Sequence, residues 1–181
     1  MAGLEPDDIA HNVRDILRGA ENLRFRMDEI ASIDLDRDTL KTRSGTALSY
    51  DYLLLATGAV TSYFGVEGAE EHAFPLKNVT DAVELRTHVL RQFEAYDRNP
   101  EDAQPGMLTF VLVGGGPTGV EMAGAFVELL DTLDGDFPDF DVPTVSRVIL
   151  VEMQSDLLPP YAEALRTYTR STLEERGVEV R

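Results

Sequence analysis

The residues with the clearest chemical potential stand in an unbroken run: Gly114, Gly115, Gly116, Pro117, Thr118 and Gly119. A strand-like apolar run over residues 108–113 precedes them, and a helical pattern over 118–130 succeeds them. In that setting each type has a task. Gly114 permits a tight turn, Gly116 lets a pyrophosphate approach the backbone, and Gly119 lets the helix pack against its strand. Pro117 suits the first helical turn, where a missing N–H costs nothing. The helix start then presents unpaired N–H groups and partial positive charge to phosphate oxygens. The same scheme expects an acid at the end of the next strand, to bind a ribose 2′-hydroxyl. Glu152 closes the strand-like run 147–152. It lies farther on than the usual ~20 residues, an excess that an insertion over 131–146 accounts for. An acid followed by Met153 and Gln154, with no arginine, favours NAD(H) over its 2′-phosphorylated relative.

Other constellations are weaker. Asp131, Asp134, Asp136, Asp139 and Asp141 crowd one loop but miss the calcium-loop template, which needs a glycine and a closing glutamate at fixed places. His11, His72 and His88 are scattered, so no zinc site is expected, and no metal site of any kind is assigned. No Gly-x-Ser-x-Gly turn occurs. Cysteine is absent, which removes disulfides, thiolate ligands and any dithiol redox step by these residues. A net charge of −17 argues against nucleic acid and anionic membrane surfaces. With lysine only at positions 41 and 77, that charge also suits a high-salt medium, where screening cancels self-repulsion. Residues 1–8 show neither a basic start nor an apolar run, and no apolar stretch reaches the ~20 residues of a spanning helix. A soluble polypeptide is expected.

The elements that must position these residues come in two styles. Ile9, Val13, Ile16 and Leu17 have helical spacing, with Gly19 placed as a C-terminal cap. Short strand-like runs come next at 23–30, 32–35 and 39–43, closed by Ser44-Gly45, and read as a small antiparallel insert. Residues 52–55 form a continuous apolar run, as in a strand buried on both faces, ending at Ala56-Thr57-Gly58. A helix is expected over 81–96, with Asp81 and Glu84 spaced as a capping box and Leu85, Val89 and Phe93 as its buried stripe. The polar segment 97–106, broken by two prolines, reads as a domain boundary. Beyond it come strand 108–113, helix 118–130, strand 147–152, helix 162–176 and strand 178–180. Alternation of this kind implies parallel strands with helical crossovers. The expected fold is α/β: a Rossmann-like parallel sheet preceded by a segment with a small antiparallel insert.

The order of motifs adds to this reading. Ala56-Thr57-Gly58 precedes the glycine turn, an order that resembles the two-dinucleotide-binding flavoproteins. In that family an Ala-Thr-Gly strand end belongs to the flavin domain, and a second glycine turn opens the nicotinamide domain. Within the family the chain is most similar to the type II NADH dehydrogenases. The likeness is carried by Asp8-Ile9-Ala10 with Arg14, by residues 50–58, and by residues 113–121. Val151-Glu152, Leu157-Leu158-Pro159 and Arg176-Gly177-Val178 continue it.

The resemblance implies FAD and NAD(H) as cofactors, with residues 1–100 as part of an FAD-binding domain and 107–181 as part of an NAD(H)-binding Rossmann domain. It implies hydride transfer from NADH to flavin and on to a quinone, a route that needs no thiol. It places Glu121 near the nicotinamide and flavin rings as the catalytic-site carboxylate, where a solvated helix glutamate is the plainer alternative. Ala56, Thr57 and Gly58 would meet the flavin. The family's N-terminal flavin fingerprint is not matched, since no glycines before residue 106 have the GxGxxG spacing. The chain therefore reads as the middle portion of a longer enzyme that does not hold FAD tightly alone. Membrane contact would come only through a C-terminal part, and cytoplasmic placement is in keeping with the family. A homodimer, a ferredoxin-type reductase and a catalytically silent dinucleotide-binding fragment stay open.

Overall fold

The alternating pattern of the C-terminal half folds as a parallel sheet with helical crossovers, in a computed structural model that describes residues 10–181. The described chain divides into two compact units, 10–79 and 80–181.

In the first unit, a single-turn helix α1 (Val13–Ile16) is capped by Asn12, whose Oδ1 accepts from the Arg14 N–H at 2.9 Å. Gly19, two residues past the Leu17 C-cap, has φ +90, as a helix exit there requires. The expected helix start at Ile9 lies outside the described residues, but residues 10–12 are not helical, because the Asn12 side chain caps the helix at Val13. Strands β1 (Ile30–Asp34), β2 (Thr39–Thr42) and β3 (Ala47–Ser49) form the expected small antiparallel sheet, in that order. Gly45, at φ +92, makes the tight turn between β2 and β3. A short helix α2 (Ala69–His72) lies farther along the same unit. Two expectations need correction. The runs at 23–30 and 32–35 are one strand, β1, irregular between Ile30 and Ser32, and residues 23–29 have no ladder. Residues 52–55 form no strand either, and Tyr52 and Leu54 are 96% and 88% exposed. A doubly buried strand needs neighbours on both edges and cover on both faces. No described strand lies beside this run.

The second unit begins with helix α3 (Val79–Arg98), which starts two residues before the predicted boundary and so leaves Asp81 within its first turn. Its stripe behaves as expected: Val89 and Phe93 are buried, and Leu85 packs against the core. A 3₁₀ turn (Pro100–Asp102) occupies the proline-broken segment. Although this segment reads as a linker, α3 shares a core with residues beyond it, because Phe93 packs its ring on Phe110 and Phe137. The compact units accordingly part at Val79 and Thr80.

Strands β4 (Thr109–Val113), β5 (Arg147–Val151) and β6 (Val178–Val180) pair in parallel, in order β4-β5-β6. Helix α4 (Pro117–Leu133) crosses from β4 towards β5, and α6 (Glu163–Glu175) from β5 to β6. Because side chains alternate along a strand, Phe110, Leu112, Val148, Leu150, Val178 and Val180 share one face. They meet Ala123, Phe126 and Leu130 of α4 in the core. On the other face Val111 and Val113 are exposed, and Arg147, Glu179 and Arg181 form an ion-pair ladder across the β5–β6 side. The hydrogen bond from Arg147, and then that from Arg181, holds the Glu179 carboxyl below the usual range.

The aspartate-rich insertion uses its acids on its own backbone. Asp134 Oδ1 accepts from the Val142 N–H at 2.9 Å. Asp141 caps the short helix α5 (Val142–Val145) by accepting from Thr144 N–H at 2.9 Å. Both are ordinary uses of a short acidic side chain at a helix start. Among the described residues no group of His, Cys, Asp or Glu is arranged to hold a metal ion. None of the described helices is long and apolar enough to cross a membrane.

Candidate dinucleotide site at the β4–α4 turn

The site lies at the carboxyl ends of β4 and β5, where an open parallel sheet places its ligands. The β4–β5 ladder extends one residue into the turn, as Gly114 N–H donates to Val151 O at 2.8 Å. Gly114 then takes φ +109, a conformation that side chains disfavour. The three remaining glycines meet different constraints. A Cβ on Gly119 would stand 1.8 Å from the Gly114 carbonyl oxygen, so strand end and helix start touch backbone to backbone. A Cβ on Gly115 would stand 2.6 Å from Leu157 Cδ2 and 3.0 Å from Glu152 Oε2. A Cβ on Gly116 would meet nothing within 4 Å, so this residue faces open space. Gly119 is therefore required by backbone contact, a side chain at Gly115 would displace Leu157 or Glu152, and no protein atom constrains Gly116.

Gly116 is the N-cap of α4, with extended backbone and no side-chain cap, and Pro117 opens the helix. Thr118 and Pro117 are exposed at this end. A helix start without a side-chain acceptor offers its N–H groups to an external anion. The cradle thus fits the pyrophosphate of a dinucleotide.

Glu152 comes directly after β5 and reaches back to the turn. Its Oε2 accepts from Gly115 N–H at 2.6 Å and its Oε1 from Gln154 N–H at 2.8 Å. The Gln154 and then the Gly115 hydrogen bond hold its carboxyl below the ordinary range, so it is an anion at neutral pH. Each carboxylate oxygen keeps a lone pair, which suits a ribose hydroxyl donor. The backbone of Glu152 is fixed as well, since its N–H donates to Arg181 O at 2.9 Å.

The structure therefore brings together Gly114, Gly115, Gly116, Pro117, Thr118, Gly119 and Glu152. Glu121 is exposed in the second turn of α4, within the same unit. Ala56, Thr57 and Gly58 belong to the first unit, where all three are exposed and Gly58 turns at φ +73. Sequence reasoning missed the support beneath the turn. Leu157 and Leu158 are buried, and Leu158 N–H donates to Gly115 O at 2.8 Å. An apolar pair inside a loop that should be polar was the available signal.

The chain has relatives among known proteins. NdhA of Mycobacterium tuberculosis, a type II NADH:quinone oxidoreductase, is 40% identical over 182 residues, covering 98% of this chain and 38% of its own length. A type II NADH:quinone oxidoreductase of Staphylococcus aureus is 32% identical, covering 97% of this chain and 42% of its own length. The chain thus spans about two fifths of these curated relatives. Among solved structures, NDH2 of Plasmodium falciparum in complex with NADH superposes with a TM-score of 0.70 at 23% identity, covering 84% of this chain and 32% of that one. The putidaredoxin reductase–putidaredoxin complex gives 0.65 at 22% identity, covering 99% of this chain and 37% of the other. These two likenesses concern the fold. Residues 3–181 match a family described as pyridine nucleotide-disulphide oxidoreductase, so the chain, although it offers no thiol, belongs to that family.

Proposed function

We propose that this chain supplies the NADH-binding part of an FAD-dependent oxidoreductase that passes hydride from NADH to flavin and then to a quinone. One observation carries the nucleotide assignment: the open Gly116 at an uncapped helix start, with the Glu152 carboxylate held across the turn. In this reading the N–H groups at the start of α4 bind the pyrophosphate, and Glu152 accepts from the adenosine ribose. A 2′-phosphate would meet the Glu152 anion and be repelled. Glu121 would orient the nicotinamide carboxamide or set the charge along the hydride path.

The names of the 40% and 32% identical relatives support NADH as donor and quinone as acceptor. FAD, when bound, would accept the hydride and release electrons to the quinone. The exposed 56–58 segment would offer the flavin its backbone and the Thr57 hydroxyl. A glycine turn for FAD is not among the described residues, so this chain alone should purify without stoichiometric yellow colour. Placement at the cytoplasmic membrane face, and any homodimer, belong to the same proposal by family resemblance.

Calorimetric titration of the chain with NADH and NADPH tests the nucleotide assignment. Saturable binding that prefers NADH is expected. Glu152→Arg should weaken NADH about tenfold, or about 1.4 kcal/mol, and narrow or reverse the preference. Equal affinity of the folded wild-type chain for both nucleotides would remove the assignment of Glu152.

A further inference from the structure

The glycine turn is held from below by the segment that comes after β5. After Glu152 the chain runs through Ser155 and Asp156 to Leu157 and Leu158, which are 1% and 9% exposed. Leu157 stands where a Gly115 side chain would have to go, with Cδ2 2.6 Å from that ideal Cβ position. Leu158 N–H donates to Gly115 O at 2.8 Å. To do so while burying its side chain, Leu158 adopts φ +51, an uncommon conformation for a residue with a branched side chain. Strain of this kind persists only where the surroundings over-determine it. The surroundings here are identifiable. Arg166 of α6 donates from Nη1 to Asp156 Oδ2 at 2.7 Å, and Arg170 from Nη2 to Ser155 O at 3.3 Å. Arg166 Nε is buried without a hydrogen-bond partner, and its guanidinium is paired through Nη1 with Asp156.

We infer that Leu157 and Leu158, seated by the Asp156–Arg166 pair, form a latch that sets the position of Gly115 and hence of the Glu152 carboxylate. Gly115 is clasped on both sides: its carbonyl by Leu158 and its N–H by Glu152. A shift of the latch moves both the turn that faces the phosphates and the acid that faces the ribose. These are positioning residues, and they act through Gly115. The consequence for NADH rests on the function proposed above; the positional claim does not.

Amide hydrogen exchange and NADH titration, run on the whole chain, separate the two. Leu157→Ala is compared with Leu133→Ala, a leucine that is also buried but lies at the far end of α4, about 24 Å from the helix start at Pro117. The latch predicts that Leu157→Ala speeds exchange at Gly115 and Leu158 about tenfold beyond any change at the β4 amides. It also predicts about tenfold weaker NADH binding, with Leu157→Met restoring both. Leu133→Ala should show neither selective effect. If Leu157→Ala does not fold, Asp156→Asn should give the same local excess at about threefold. Exchange that rises uniformly, or equally in the Leu133 variant, overturns the latch. A wild-type chain that does not bind NADH overturns the proposed function, and the exchange data then decide the latch alone.

Discussion

Replacing Gly119 by alanine drives a methyl group directly into backbone. The new Cβ would lie 1.8 Å from the Gly114 carbonyl oxygen and 3.0 Å from its carbon. A relaxed carbon–oxygen contact is about 3.3 Å, so strand end and helix start must part by about 1.5 Å. The neighbouring Leu150 Cδ1, at 3.4 Å, can yield by rotation. The carbonyl cannot, because its peptide plane also carries the Gly115 N–H, which donates to Glu152 Oε2 at 2.6 Å. Forcing one methyl into a packed region costs about 1–3 kcal/mol, and a rigid partner puts this case near about 3. Alanine's better helix propensity offsets about 1 kcal/mol. The net loss is about 2 kcal/mol, which lowers the urea midpoint by about 1 M. Gly116→Ala is the matched control. Its backbone is already extended, at φ −74 and ψ −179, and a Cβ there meets nothing within 4 Å. Alanine is a poorer N-cap than glycine, which offsets its entropic gain, so stability should change by less than about 1 kcal/mol, while NADH binding falls about tenfold because the methyl group fills the approach path. Urea unfolding with nucleotide titration reads both effects. A Gly119→Ala chain with the wild-type midpoint, or a Gly116→Ala chain as destabilised as Gly119→Ala, would refute the division of labour drawn from these distances.

Acid unfolding should report Glu152. Its folded pKa lies below the free value of 4.5, so its contribution is complete above that value and disappears as pH falls through the lower folded one. Glu152→Gln should flatten that part of the stability curve; an unchanged acid slope would remove the two backbone hydrogen bonds as its cause. Phe93→Ala should cost the second unit about 3–5 kcal/mol, since the ring is fully buried against Phe110 and Phe137. A loss below about 1 kcal/mol in denaturant would mean that α3 does not share that core. With a net charge of −17, the melting temperature should rise between about 0.01 M and about 1 M salt, as the screening length falls from about 30 to about 3 Å. No rise would exclude adaptation to high salt.

The sequence alone determined the part whose physics is local. Gly114, Gly116 and Gly119 between an apolar strand and an amphipathic helix can be read without neighbours, because φ, close approach and an exposed helix start are properties of that short stretch. Glu152 was found the same way, from its place at the end of the next strand. The antiparallel insert and the alternation behind the parallel sheet came from side-chain period and turn residues. Only the tertiary structure decided the rest. Residues 52–55 have the composition of a buried strand, yet Tyr52, Leu54 and Leu55 lie exposed, because strand pairing depends on partners far away in the chain. Helix α3 precedes a proline-broken segment but shares the core beyond it, since the Phe93 ring contacts settle its place and linker composition does not. The positive φ of Leu158 and the bonds that clasp Gly115 are long-range geometry as well. No propensity or spacing encodes them, because each exists only once β5, α6 and the glycine turn have met.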